Sequence, residues 1–415
     1  MQDAISVHCK VVKTSSTLSL YSTLFKLFKL SEWKDIRHCK TLVWMVIGLI
    51  GSGCISLSSW ADYTHGRATQ AMSRVRRFSR WLANDSIEVD KLYAPIIQEA
   101  LTGWGKHTLY LALDTSQLPG GYCLIRLSVL YRGRAVPVVW QVLAHNSSSI
   151  AFEVYRPLLA RAARLLPSGV KVVLLADRGF CDTELMKYLT NDLAWHYRIR
   201  IKANLLCHLS QGAKLKLSRV SLASGEARLW REVWLTAKRY GPVSLALGRP
   251  YGSALRWLIV SDEPTSRTTF DEYGLRFRLE EEFLDEKSNG FGLEDTRLEG
   301  ATVLTRLCLV LAVATLYLVA QGSEVVRQGR RREVDPHRQR GSSYLKLGWR
   351  YLRRFFSGVA YPLLSVLRLT GEPDPEPAMA SKTQHAKCQR ERFDLLDFRN
   401  PEELPCFPVS LALAA

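Results

Sequence analysis

A chain of 415 residues with 47% hydrophobic side chains has material for two or three domains and a sizeable core. Its formal charge of +18 points to a polyanionic partner, nucleic acid first and an anionic membrane surface second. The nine cysteines are scattered and form no CxxC pair, which argues against a disulfide framework or a zinc site and for a reduced, intracellular protein. No signal peptide is expected, since Asp3 falls among the first residues and no short apolar core ends in a cleavage-like site. Two apolar stretches invite a membrane reading. Val43 to Leu57 is too short and glycine-rich to span a bilayer, and Leu307 to Ala320, bounded by Arg306 and Gln321, is expected as a core helix of a soluble protein.

In chain order, residues 1–40 offer a Ser/Thr-rich start and a short amphipathic helix in TLFKLFKLSEW. From Lys40 to Asp85 the pattern is helical, with breaks at Gly51 to Gly53 and at Gly66. The stretch ATQAMSRVRRFSRWLAND sets Arg74, Arg76, Arg77 and Arg80 beside Val75, Phe78, Trp81 and Leu82. That spacing buries the apolar residues and leaves the four arginines exposed. Helix, glycine turn and basic helix fit a helix-turn-helix-like DNA reader, and equally a basic face on an ordinary helical bundle. Residues 1–100 are therefore expected as an N-terminal helical region.

The pattern changes near Lys106. HTLYLALDTSQ reads as a strand ending on Asp114, and CLIRLSVLYRGRAVPVVWQVL as two strands around Arg132-Gly133-Arg134. AFEVYRPLLARAARLL is an amphipathic helix, and KVVLLADRGF is an apolar strand of the covered-sheet kind, ending on Asp177. A helix (DTELMKYLTND) and a strand (WHYRIRIKANL) follow. Three strands, a helix, a strand, a helix and a strand is the order of an α/β, RNase H-like core. Residues 209–262 add strand-like runs, AKLKLSRV, ARLWREVWLTA, PVSLALG and ALRWLIVS, expected as a β-rich insertion before the core resumes at 263–325.

Tyr273 to Lys287, YGLRFRLEEEFLDEK, is rich in helix formers. At about 100° per residue, Tyr273, Arg276, Glu280 and Lys287 fall within roughly 60° of one another on a line about 21 Å long. Phe277 and Leu284 flank that line on one side, and Leu275, Leu279 and Phe283 on the other. Four polar groups thus occupy the middle of the stripe that should be buried. A surface helix laced with i,i+4 ion pairs is the plain alternative. Residues 326–370 form a strongly basic region (RQGRRREVDPHRQR, then SSYLKLGWRYLRR), suited to a DNA backbone or to solvent, and 371–415 (GEPDPEPAMASKTQHAK onward) has the composition of a disordered tail.

These residues resemble the Tyr-x2-Arg-x3-Glu-x6-Lys signature of bacterial insertion-sequence DDE transposases, the IS-four-type family of cut-and-paste composite-transposon enzymes. Asp177-Arg178-Gly179-Phe180 is similar to the family's second motif, and Trp257 to Pro264 to its Trp-x5-Glu-Pro stretch. The resemblance covers roughly residues 40–355. It implies an RNase H-like catalytic core with a β-rich insertion domain and an N-terminal helical DNA-binding domain. It also implies a metal-dependent enzyme that binds terminal inverted repeats, cleaves the strands and transfers them to target DNA, with a hairpin on the cut ends implied by analogy through Trp257. Asp114, Asp177 and Glu280 would be catalytic and would hold Mg²⁺, with Mn²⁺ as substitute, because hard cations take oxygen ligands. Tyr273, Arg276, Lys287, Trp257 and Arg178 would contact DNA at the core, Trp257 by stacking on a flipped base, and Arg74, Arg76, Arg77 and Arg80 would contact it at the N-terminal region. The implied setting is a homodimeric synaptic complex on double-stranded DNA in the bacterial cytoplasm, at the nucleoid, without a membrane. A structure-specific nuclease on the same core and an inactive DNA-binding relic stay open beside it, with a membrane-surface protein a distant fourth.

Overall fold

In a computed structural model of the chain, residues 2–65, 68–210, 212–277, 291–337, 342–359, 362–373 and 395–397 are described. The protein is mixed α/β and divides into two units, Met1–Val172 with Phe277–Ala380 and Val173–Arg276 with Ser381–Ala415.

The first unit opens on five helices: α1 (Gln2–Phe28), α2 (Ile36–Ser52), α3 (Leu57–Ala61), α4 (Ala71–Leu82) and α5 (Val89–Leu101). A three-stranded antiparallel sheet follows, β1 (Leu109–Leu118), β2 (Tyr122–Tyr131) and β3 (Arg134–Ala144), with β2 in the middle, and then α6 (Phe152–Leu165). The β2–β3 hairpin turns on Arg132 and Gly133, both left-handed (φ 43° and 77°), as a two-residue turn between right-twisted strands requires.

The second unit begins within β4 (Val172–Ala176) and continues through α7 (Thr183–Lys187) to β5 (His196–Arg200). The strands β6 (Leu206–Leu209), β7 (Lys214–Lys216), β8 (Glu226–Leu235), β9 (Tyr240–Gly248) and β10 (Trp257–Ser261) precede α8 (Arg267–Gly274). The first unit resumes with α9 (Ala301–Arg327), α10 (Arg331–Val334) and α11 (Tyr344–Phe356), and β11 (Leu395–Asp397) belongs to the second.

In the second unit the strands run in the order β4-β5-β10-β9-β8-β6-β7. β4 and β5 are parallel, the other neighbours along this row are antiparallel, and β11 adds to β8 in parallel. The strands read in the sequence as an insertion are therefore continuous with β4 and β5. β10 pairs with β5 through Ile259↔Arg200 and Ser261↔Arg198, and that ladder fuses the two sets into one sheet.

Both apolar stretches of the first unit are helical core. Leu42 to Ile50 of α2 is buried without interruption. α9 is long and apolar enough to cross a membrane, yet its apolar window is 89% buried, packed by α2, α5, α11 and β3. Arg306 enters this core on α9 and donates to Leu82 O (3.0 Å), Ile87 O (3.3 Å) and Asp85 Oδ1 (2.8 Å), so its charge meets the carbonyl end of α4. α9 crosses α11 where Gly322 faces Gly348. A Cβ on Gly322 would overlap the Tyr344 carbonyl oxygen, and one on Gly348 the Leu318 carbonyl oxygen, so backbone meets backbone directly.

A methyl group at this crossing has no space to enter. Gly322→Ala and Gly348→Ala should each destabilise the protein by about 1–3 kcal/mol or more, the usual range for overpacking a dense core. Urea denaturation checks this, and an unchanged midpoint in either variant would show that the two helices can separate freely.

Candidate functional site

Asp114 does not end its strand. It is the sixth of ten residues in β1, because β2 supplies a partner at every step to Leu118↔Tyr122 and the chain turns at Gly120 and Gly121, both at φ 77°. Asp114 stands directly across from Arg126, which is 1% exposed, so the two side chains share a face of the sheet. Arg126 in turn faces Trp140 of β3, whose indole nitrogen donates to Thr305 O on α9 (2.9 Å). Asp114 Oδ1 accepts from its neighbour's amide, Thr115 N (2.8 Å).

Asp177 does end its strand. The five residues of β4 are all buried, and Asp177 follows in extended conformation as the cap of a short 3₁₀ turn, Arg178–Phe180. Its Oδ1 accepts from Gly179 N (2.7 Å), while its Oδ2 has no hydrogen bond among the described residues. Phe180 anchors the turn in the core, and Arg178 is exposed beside the half-buried carboxylate.

The signature stretch departs from the single helix expected over 273–287. Ser266 and Thr269 form a reciprocal capping box that starts α8 at Arg267, so Tyr273 is the penultimate residue of an earlier helix. After Gly274 the amides of Leu275 and Arg276 reach back only three residues, to Glu272 O (3.1 Å) and Tyr273 O (3.0 Å). Glycine is a poor helix interior, and here the helix tightens into a turn. Tyr273 and Arg276 are thus joined by that turn rather than by one continuous helical face. Glu280 and Lys287 lie outside the described residues.

Tyr273 and Arg276 are both buried. Tyr273 packs into a cluster with Ala227, Leu229, Ala246, Ile259 and Phe270. Trp257, the first residue of β10, leans on that cluster edge-on to Tyr273 (ring centroids 5.7 Å, 72°) and tilted against Phe270 (6.4 Å), and it stays half-buried. Burial pushes the Tyr273 phenol above its ordinary pKa. The charges of Arg276 and Arg200 pull it down, and that of Asp177 pushes it up.

Beneath this group lies a charge network with no counterpart among the expected site residues. Arg198 of β5 is buried, and its Nε donates to Glu272 Oε2 of α8 (2.7 Å) and its Nη2 to Glu263 Oε2 just beyond β10 (2.8 Å). Its Nη1 donates to Ser261 Oγ (3.0 Å) and Tyr197 O (2.9 Å). His196 joins the network through Asp262 (2.6 Å), whose other oxygen lies 3.8 Å from Arg198 Nη1. The available signal was the alternation in HYRIRIK, which sets His196, Arg198, Arg200 and Lys202 on one face of a strand.

The four arginines expected to be exposed on α4 differ from one another. Arg74 donates to the carbonyls of Ala61 (2.8 Å), Ala68 (3.1 Å), Thr69 (2.9 Å) and Thr64 (3.4 Å), and so closes the loop before its own helix. Arg77 is half-buried over the Phe78 ring, and desolvation lowers its pKa. Only Arg76 and Arg80 are exposed, because the helix buries Phe78, Trp81 and Leu82 and Arg74 and Arg77 lie at the edges of that face.

Much of the basic 326–370 region is likewise engaged internally. Asp335, with no exposed side-chain surface, accepts from Ser342 N (2.9 Å), Ser342 Oγ (3.1 Å), His337 N (3.2 Å), Arg331 Nε (3.4 Å) and Arg350 Nη1 (3.4 Å). Arg330 pairs with Glu333, and Arg353 lies over Trp349.

Among the described residues no group of three or more His, Cys, Asp or Glu could hold a metal ion. Asp114 and Asp177 belong to different units. Cys39, Cys54, Cys123, Cys181, Cys207 and Cys308 are free thiols.

Residues 115–317 match the family described as Transposase DDE domain, a stretch that starts one position after Asp114 and takes in Asp177, Trp257 and the whole signature. No curated protein sequence matches the chain. Among solved structures, a piggyBac transposase in a cryo-EM synaptic complex with hairpin DNA is similar at 11% identity, over 84% of this chain and 79% of that one, with a TM-score of 0.43. That likeness is too distant to assign a fold or a function.

Two stability effects follow from these partnerships. Arg74→Ala would strand carbonyls now bonded to a cation and should cost about 1–3 kcal/mol, whereas Arg76→Ala and Arg80→Ala should stay within about 0.5 kcal/mol of wild type. Equal denaturation midpoints for all three would return Arg74 to the solvated face. Burial alone would raise the Asp335 pKa, but the bonds from Ser342, His337 and Arg331 outweigh it and hold the pKa below its usual value. A carboxylate depressed in the folded state stabilises above its unfolded pKa, near ~3.9, and loses that contribution as pH falls through the folded value. Asp335→Asn should therefore weaken the protein at pH 7 and differ progressively less from wild type below about pH 4. A pH-independent difference would mean that Asp335 contributes through its shape alone.

Proposed function

We propose that the chain is a DDE DNA transposase that binds the inverted repeats of an insertion sequence, cleaves the strands and joins the ends to target DNA. The observation that carries this reading is the match of residues 115–317 to the transposase DDE domain, with Asp177 presented half-open at the end of a fully buried strand inside that stretch. The order β1-β2-β3-α6-β4-α7-β5 supports an RNase H-like core. The signature residues support the IS-four-type, Tyr-Arg-Glu-Lys branch of the family.

In this reading Asp114, Asp177 and Glu280 hold Mg²⁺, with Mn²⁺ as substitute. The donor set fits: all three donors are carboxylate oxygens, as hard cations require, and Asp177 Oδ2 is not engaged by any described residue. The ions supply charge stabilisation at phosphorus and activation of the attacking oxygen. The chain does the rest. Exposed Arg178 meets a phosphate beside Asp177, and Lys287 serves a second phosphate. Tyr273 and Arg276, being buried, support Trp257 and the Asp177 turn. Trp257, held on one side by Tyr273 and Phe270, offers its remaining surface to a base displaced next to the cut.

The N-terminal helices of residues 1–100 bind the element's ends, with Arg76 and Arg80 on phosphates, and the exposed cations of 326–370 add sequence-independent contacts. Two copies act together in a synaptic complex, in the bacterial cytoplasm at the nucleoid.

Asp114→Ala, Asp177→Ala and Glu280→Ala should each abolish Mg²⁺-dependent nicking of end-bearing DNA and spare its binding. A variant that nicks near the wild-type rate removes that residue from the site. Trp257→Ala should leave the first nick within a few-fold of wild type and slow hairpin closure roughly 5- to 150-fold, the equivalent of about 1–3 kcal/mol of lost stacking. An abasic site at the displaced position should restore part of the rate. Equal slowing of both steps without rescue would make Trp257 a core residue only, and a wild type that forms no hairpin would reduce the reaction to nicking and joining.

A further inference from the structure

The Trp257–Tyr273–Arg276 group hangs on short pieces of chain. β10 has five residues, and α8 has eight and ends on a glycine. Neither length fixes an element by its own hydrogen bonds, since isolated helices under a dozen residues are marginal. Apolar packing against Ala227, Leu229, Ala246 and Ile259 buries Tyr273 but does not define the rotation of α8 about its axis. A directional contact between α8 and β5 is made at Glu272, the residue before Tyr273. Its carboxylate meets Arg198 Nε at 2.7 Å while Nη2, the next nitrogen along the same edge of the guanidinium, holds Glu263 at 2.8 Å. Glu263 is fixed in its turn, because its amide donates to Ser261 Oγ (3.0 Å) and that hydroxyl donates to Glu263 O (2.7 Å).

We infer that Arg198 is a positioning residue for DNA cleavage: its buried, planar guanidinium clamps Glu272 of α8 to Glu263 of the β10 turn and so sets where Trp257, Tyr273 and Arg276 stand. Arginine suits this role in a way lysine cannot, since a guanidinium offers donors in fixed directions to two acids at once and an ammonium is a single point of charge. The cation also sits against the last turn of α8, where it complements the helix dipole. The inference rests on the transposase reading for its consequence but not for its geometry, which stands on the bonds themselves.

The test uses the full chain carrying Arg198→Lys, Glu272→Gln, and both together. Hydrogen exchange read by mass spectrometry reports on the clamp without reference to activity. Amides of residues 267–276 should exchange at least tenfold faster in each single variant, while those of β8 and β9 keep wild-type protection. Single-turnover nicking of end-bearing DNA reports on the consequence. Each single variant should nick 10- to 100-fold more slowly with the dissociation constant for the DNA within about threefold of wild type, and the double variant should be no slower than the worse single.

Wild-type protection of residues 267–276 in Arg198→Lys would overturn the clamp. So would loss of protection spread evenly over the sheet, or multiplicative rate losses in the double variant, because either outcome describes general destabilisation. If wild type fails to nick any end substrate while residues 267–276 still loosen selectively in the variants, the transposase reading falls and the clamp on α8 stands.

Discussion

A charged group can be taken out of water only when other charges and dipoles replace the hydration it loses, and this constraint organises the interior of both units. Arg198 meets it with Glu263, Glu272, Ser261 and the Tyr197 carbonyl, all within 3.0 Å. Those partners come from a strand, the turn after another strand, and a helix, so satisfying one guanidinium forces three elements into register. Arg306 does the same for the helical unit. Its partners at Leu82, Asp85 and Ile87 tie the α4–α5 connection to the longest buried helix. Asp335 is the inverse case, a buried anion that gathers amides, a hydroxyl and two arginines around one loop.

This use of charge changes the meaning of the +18 balance. A strongly basic chain invites the assumption that its cations face a polyanion, yet several of the most prominent arginines are engaged within the protein. Arg74 caps loop carbonyls, Arg331 and Arg350 serve Asp335, and Arg198 and Arg306 are core residues. Arg76, Arg80 and Arg178 are among the cations that stay exposed for a partner. Backbone packing obeys a similar economy of space. Where α9 meets α11, two glycines remove the side chains that would keep the helices apart.

Much of the candidate site was legible from local pattern. An uninterrupted apolar run such as VVLLA followed by a polar residue describes a covered strand and its end, and Asp177 lies there. The strands over 226–261 were readable because β-branched and aromatic residues recur between turn residues. The end of β1 was placed four residues too early, at Asp114, because a strand's end depends on its partner, and β2 carries pairing on to Leu118. The α8 boundary was missed because a capping box at Ser266 and a glycine at 274 outweighed the helix-forming composition that follows. Arg74 was misassigned because helical period gives the direction a side chain leaves the axis, not how far a long one folds back toward loop carbonyls.

By itself the sequence determined the mixed α/β class, the order of most elements and the aspartate that follows β4. All of these depend on composition or on spacings shorter than one element, where the physics is local. Only the tertiary structure decided which cations are bare and which are committed, that the inserted strands join β5 in one sheet, and that Tyr273 and Arg276 are buried. Those outcomes depend on partners such as Arg198 and Glu272, 74 positions apart in the chain. A charge is satisfied by whatever lies within about 3 Å of it, and sequence spacing carries no record of that neighbour.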